Sequence, residues 1–169
     1  LLFCLQNEPE WHNYGANITV GRDKWASLAT DATDAIRLVT ADRIILIEAV
    51  HKGTWYRRDH TPSRLVRKIE RSGIIYGFHY YGPDPESWTH QIDMGGLPYT
   101  QQMRRNVISD IRTLIRWKRS ERVPVMITEM GAWGPYFESG QLVSGATAED
   151  RAQWTRDIVS LTFPERIGI

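Results

Sequence analysis

Short apolar runs alternate with longer stretches of helical periodicity along the chain. This alternation constrains the fold most, because strands separated by helices pair in parallel through right-handed crossovers. The predicted strands are Leu1–Leu5, Ile44–Val50, Ile74–Tyr81 and Val123–Glu129. The predicted helices cover roughly 22–41, 61–71, 103–119 and 147–161, and a loop runs through Val20 before the first of them. We therefore expect an α/β protein with a parallel sheet.

Both ends of the chain favour a piece of a (β/α)8 TIM barrel over a complete open sheet. The first residues already have the pattern of a strand, and Ile167-Gly168-Ile169 could open another. A whole barrel needs about 250 residues, whereas this chain has 169. We expect residues 1–169 to be one incomplete domain, about half a barrel. A flavodoxin-like domain would also fit the length, but no glycine-rich phosphate loop follows any predicted strand.

Composition excludes several classes of function. The formal net charge is +1, so nothing indicates nucleic acid or an anionic membrane as a partner. No segment approaches the roughly 18 apolar residues of a membrane span. The single cysteine, Cys4, lies in an apolar run and is expected to be a small buried side chain without a disulfide or metal. No signal peptide is visible, which we attribute to a cut N-terminal end.

Two glutamates stand at the ends of predicted strands. Glu8 lies in Asn7-Glu8-Pro9, and Glu129 follows a buried run and precedes Gly131. The carboxyl ends of parallel strands are where α/β folds place their chemistry. Two carboxylates held together there can cleave a glycosidic bond, one as proton donor and one as nucleophile. In the alternative, Glu8 merely opens a loop and Glu129 pairs with an arginine.

The third predicted strand ends in His79-Tyr80-Tyr81. Because side chains alternate along a strand, His79 and Tyr81 share one face. An imidazole and a phenol are suitable hydrogen-bond partners for two carboxylates. Glu48, late in the second strand, is expected to be a structural carboxylate with a buried partner. Trp88 and Trp133 lie in loops on the same side and are candidate sugar platforms.

These motifs together resemble glycoside hydrolase family 5, the cellulase/mannanase family with a (β/α)8 fold. The resemblance rests on Asn7-Glu8-Pro9, His79-Tyr80-Tyr81 with the loop Trp88-Thr89-His90-Gln91, and Glu129-Met130-Gly131. It implies that the chain spans strands 4 to 7 and the start of strand 8. It also implies that Glu8 is the acid/base and Glu129 the nucleophile. Asn7 would then contact the sugar 2-hydroxyl, His79 would line the acid/base side, and Tyr81 would hold Glu129.

By this resemblance the full-length parent would be a retaining endo-β-1,4-glucanase. Endo-β-1,4-mannanase is the alternative within the class, and a non-catalytic carbohydrate-binding barrel is the alternative outside it. The resemblance implies a polysaccharide or oligosaccharide substrate, no metal or organic cofactor, a monomeric parent and secretion from the cell. The 169 residues alone are expected to be inactive, because an open sheet leaves unpaired edges.

Overall fold

Four parallel strands form the central sheet, and each pairs with the next along the chain. The computed structural model describes residues 2–50, 61–82, 98–132, 136–138, 141–144 and 146–169. The strands are β1 (Leu2–Cys4), β2 (Ile44–Glu48), β3 (Ile74–Gly82) and β4 (Val125–Ala132). Their order in the sheet is β1-β2-β3-β4, with parallel pairing throughout. Sequential parallel neighbours are the arrangement of a (β/α)8 barrel, and the predicted fold class is confirmed.

Within the described residues, four α-helices accompany the sheet: α1 (Ile18–Val39), α2 (Pro62–Leu65), α3 (Gln101–Glu121) and α4 (Ala148–Thr162). The Asn17 side chain accepts a hydrogen bond from the N–H of Val20 and so starts α1. The predicted loop through Val20 is therefore too long. Thr147 and Asp150 form a reciprocal capping box at the start of α4, as the sequence predicts.

The predicted helix over 61–71 is wrong for most of its length. Proline at the favoured first position begins α2, but the helix ends at Leu65 because Val66 is extended. Val66 and Ile69 are buried in the core. The N–H of Ile69 donates to the buried Tyr76 hydroxyl at 2.8 Å, a partner that lies outside the segment. This long-range contact and the burial of two β-branched side chains outweigh local helical spacing.

A short hairpin follows the sheet where the sequence predicts only a loop. Strands β5 (Tyr136–Glu138) and β6 (Gln141–Ser144) pair antiparallel, with a register shift between Tyr136 and Phe137. Such short strands give too few alternating positions for a pattern to be recognised. Gly168 makes one parallel bridge to Met126 on β4, where the sequence predicts that a fifth strand could open.

The core lies between the sheet and its helices. Its largest fully buried side chains include Trp154, Tyr76, Phe78, Ile111 and Leu114. Cys4, by contrast, is exposed, so the prediction of a buried side chain is wrong. It lies on β1, an edge strand of this sheet, where one strand partner is missing. Among the described residues, no helix is long and apolar enough to cross a membrane.

Candidate active site

Glu8 lies in a left-handed turn just beyond the carboxyl end of β1. The strand ends at Cys4, and Glu8 has φ +50°, which is uncommon for a residue with a β-carbon. Its N–H donates to Glu48 Oε2 at 3.0 Å. The next residue, Pro9, is buried. The turn is therefore fixed by a contact with β2, and the Glu8 side chain remains 38% exposed.

Glu129 lies within β4, which continues to Ala132 beyond the predicted strand end. Its partner across the sheet is His79 on β3, and the register shifts between Phe78 and His79. That irregularity re-aims the side chains at this end of the sheet. The Glu129 side chain is 34% exposed, so it faces both His79 and solvent.

His79 is fully buried among three carboxylates. Its Nδ1 lies 3.4 Å from Glu8 Oε1, and its Nε2 lies 3.1 Å from Glu48 Oε2 and 3.5 Å from Glu129 Oε1. Neither nitrogen makes a hydrogen bond of good geometry, so the three contacts are ion-pair distances. Burial opposes the charge, yet contact with Glu48 and the charges of Glu129 and Glu8 raise the pKa of His79.

Glu48 is buried at the end of β2, where three donor groups contact its carboxylate. Besides His79 and the N–H of Glu8, the Thr128 hydroxyl donates to its Oε1 at 2.9 Å. Burial alone would favour the protonated acid. The contacts with His79, the Glu8 N–H and Thr128 outweigh it and hold the pKa of Glu48 below its usual range. The prediction of a carboxylate with a buried partner is confirmed.

Tyr81 lies on the same face of β3 as His79, as the alternation of a strand requires. Its hydroxyl donates a short hydrogen bond to Glu129 Oε2. Burial, and then this hydrogen bond, raise the pKa of the Tyr81 phenol, so it remains a donor. The aromatic ring lies edge-on to His79, with centroids 6.3 Å apart.

The structure brings Glu8 and Glu129 together from opposite edges of the sheet. One donor atom from each of Glu8, His79 and Glu129 lies within 4.8 Å of the other two. A small cation could fit such spacing, but the neighbouring acids raise the pKa of His79, and a protonated ring nitrogen has no lone pair to offer a metal. The chemistry that the arrangement supports is acid–base and nucleophilic catalysis by two carboxylates.

Not every predicted site residue joins this cluster. Asn7 is exposed and has no hydrogen-bond partner among the described residues. Trp88 and Trp133, the predicted sugar platforms, lie outside the described residues. The sequence analysis missed the part of Glu48 in the site, although an acid inside the apolar run Ile44–Val50 is a signal that could have indicated it.

A comparison with protein families matches residues 1–162 to cellulase, glycosyl hydrolase family 5. The chain belongs to glycoside hydrolase family 5. The match includes both strand-end glutamates and the β3 motif, so the resemblance stated from the sequence is confirmed. A comparison with curated protein sequences gave no match.

Solved structures of similar fold agree with this family. Endoglucanase Cel5A from the hyperthermophile Thermotoga maritima superposes with a TM-score of 0.72 and 22% identity, over 99% of this chain and 50% of its own. The same enzyme in complex with mannotriose superposes with a TM-score of 0.72 and 20% identity, over 99% of this chain and 50% of its own. Cellulose synthase subunit Z from Clostridioides difficile superposes with a TM-score of 0.70 and 18% identity, over 99% of this chain and 51% of its own. The chain spans about half the length of these structures.

Proposed function

We propose that the full-length protein is a retaining glycoside hydrolase that cleaves β-1,4-glucan, with Glu8 as acid/base and Glu129 as nucleophile. The observation that carries the proposal is the placement of these two carboxylates. They face each other within 4.8 Å at the carboxyl ends of β1 and β4, and each side chain is about one-third exposed. Membership of the cellulase family supports the same reaction class.

The short separation favours retention of anomeric configuration over inversion. Retaining enzymes hold their two carboxyl groups about 5–5.5 Å apart, so that the nucleophile reaches the anomeric carbon directly. Inverting enzymes need about 6.5–9.5 Å to admit a water. The closest Glu8 and Glu129 oxygens lie within 4.8 Å, which leaves little room for a water between them.

The hydrogen bonds around each carboxylate support the division of roles. Tyr81 donates to Glu129, and a donor of this kind stabilises the ionised carboxylate that a nucleophile needs. In the first step Glu129 attacks the anomeric carbon, and protonated Glu8 gives its proton to the leaving oxygen. In the second step Glu8 takes a proton from water, and the hydroxide formed releases the sugar from Glu129.

Glucan is the proposed substrate because endoglucanases are prominent among the similar structures. Mannan is the alternative, since a similar endoglucanase has been solved with mannotriose. We also propose secretion, because such polymers are too large to enter a cell intact, and action as a monomer without a metal or organic cofactor. Activity in the culture fluid of the producing cells would test the secretion proposal.

The test is hydrolysis of β-1,4-glucan and β-1,4-mannan by the full-length protein and its Glu8→Gln and Glu129→Gln variants. Loss of general acid catalysis costs about 100- to 10,000-fold, and loss of the nucleophile is expected to cost at least as much. The matched control is Glu10→Gln, an acid in the same loop whose partner is His12 at 3.7 Å. We expect that variant to keep near-native activity.

Azide rescue separates the two roles. With an activated aryl cellobioside, azide should replace the missing nucleophile in Glu129→Ala and give the α-glycosyl azide. In Glu8→Ala it should intercept the covalent intermediate and give the β-product. Hydrolysis that survives both glutamine variants would refute the proposal. Binding of oligosaccharide without any hydrolysis would favour the non-catalytic barrel instead.

A further inference from the structure

We propose that Glu48 is a positioning residue of this site, which keeps His79 cationic between Glu8 and Glu129 and fixes the turn that aims Glu8. This inference rests on the proposed function for its catalytic consequence. The structural part, a buried carboxylate tied to both His79 and the Glu8 backbone, stands on the contacts alone.

The number of hydrogen-bond donors on the His79 ring depends on its charge. A neutral imidazole carries one N–H donor and one lone-pair acceptor, whereas the imidazolium carries two donors. Both nitrogens of His79 face carboxylate oxygens, with Glu8 at 3.4 Å on one side and Glu48 at 3.1 Å on the other. When Glu8 is ionised, a neutral ring would direct a lone pair at an anion. The geometry therefore favours the cation.

Glu48 is the acid nearest to His79 and the most buried of the three. Its side chain is 2% exposed, against 38% for Glu8 and 34% for Glu129. Water screens a buried charge least. Glu48 also takes no part in the proposed bond changes, so its charge persists when the other two acids are neutralised in turn. It can hold the proton on His79 through both steps.

Glu48 also holds the turn at Glu8. A residue with a β-carbon at φ +50° is strained unless its surroundings fix it. Glu48 Oε2 accepts the N–H of this same residue at 3.0 Å. One carboxylate therefore orients the main chain of Glu8 and charges the ring beside the Glu8 side chain. A change at Glu48 should alter both the placement of the acid and the electrostatics around it.

Within the described residues, the titratable groups around His79 are three carboxylates and a phenol, with a thiol on the neighbouring strand β1. Glu8, Glu48 and Glu129 approach its nitrogens, and Tyr81 lies beside the ring. Partial burial and the Glu48 charge raise the pKa of the Cys4 thiol on β1. Both the phenol and the thiol are uncharged at neutral pH, so the charges that face His79 within the described part of the chain are those of the three carboxylates.

The experiment compares the full-length protein with its Glu48→Gln variant. Glutamine keeps an oxygen for the Glu8 N–H but removes the charge. We expect kcat to fall about 10- to 100-fold, the range for one hydrogen bond to a charged group, with KM within about threefold. The pKa of His79, measured from its ring 15N shifts, should fall by about one unit or more. The basic limb of the kcat profile should move to lower pH with it.

The matched control is Asp157→Asn, a second buried acid whose hydrogen-bond partners, Tyr99, Arg104 and Gln153, do not belong to the cluster around His79. It should lower stability and leave the pKa of His79 and the pH profile in place. The same pH profile in Glu48→Gln and native protein would overturn the proposal.

Two outcomes keep this test separate from the proposed function. The 15N measurement needs no substrate, so an inactive native protein would refute the glycosidase assignment and still test the ion pair. If Glu48→Gln fails to fold, the native spectrum decides. Two protonated ring nitrogens on His79 at pH 7 support the proposal, and a neutral ring at that pH overturns it.

Discussion

Asp110 on α3 and Tyr80 on β3 form a partly buried polar contact on the helix-covered face of the sheet, away from the proposed catalytic pair. The Tyr80 hydroxyl donates to Asp110 Oδ2 at 3.1 Å. Burial raises the pKa of Asp110 to about 7, although the hydrogen bond from Tyr80 acts in the opposite direction. An aspartate in an unfolded chain titrates near about 3.9. The folded protein therefore binds a proton in this pH range that the unfolded chain does not.

The sign and size of the effect on stability follow from that difference. The stabilising contribution of protonated Asp110 is fully present below about pH 4 and is lost as the pH rises to about 7. Three pKa units at 1.36 kcal/mol each correspond to about 4 kcal/mol. Asparagine cannot titrate, so Asp110→Asn should lose none of it. The free energy of unfolding of the variant, relative to native protein, should rise by about 4 kcal/mol between pH 4 and 7.5.

Urea unfolding of both full-length proteins at four pH values between 4 and 7.5, followed by tryptophan fluorescence, measures this difference. Other titrating groups contribute equally to both proteins and cancel. In Tyr80→Phe the loss of the donating hydroxyl should raise the pKa of Asp110 further and extend the decline to higher pH. A stability difference between Asp110→Asn and native protein that stays constant across the pH range would refute the reasoning.

Two further predictions concern packing and the sheet edge. Trp154 is fully buried and stacks on Tyr80 with centroids 5.8 Å apart, so Trp154→Ala should lower the free energy of unfolding by about 3–5 kcal/mol in urea titration. Val159→Ala on the same helix, at a side chain that is 42% exposed, should change it by less than about 1 kcal/mol. The 169 residues expressed alone should associate in size-exclusion chromatography and show no hydrolysis, because the edge strand β1 exposes Leu2. A soluble, active monomer would contradict this.

The sequence predicts most of the fold because the relevant signals are local. The apolar run Ile74–Tyr81 places β3 within one residue of its observed end, and the capping residues of α4 mark its start. The failures have non-local causes. Residues 66–71 leave the helix because Ile69 contacts Tyr76, and Cys4 is exposed because of the place of β1 in the sheet.

The same distinction applies to the candidate site. The acids and the β3 motif are visible in the sequence, and parallel topology brings strand ends to one edge. The left-handed turn at Glu8 is not visible, since it depends on an acceptor from β2. The register shift before His79, which sets its partner on β4, leaves no sequence signal either. The sequence therefore predicts the two glutamates of the proposed catalytic pair, and only the structure relates Glu48 to them.

The charges around His79 explain why a third carboxylate would be useful in the proposed mechanism. The proposed mechanism starts with Glu129 and Glu48 ionised, His79 cationic and a proton on Glu8, which gives a net charge of −1. After the first step Glu129 is esterified and Glu8 is ionised, and the net charge is again −1. The negative charge has moved between two acids that lie at nearly equal distances from His79, 3.5 Å and 3.4 Å. A cation at that point stabilises both states alike. Glu48 does not take part in the exchange, so it can keep His79 charged throughout.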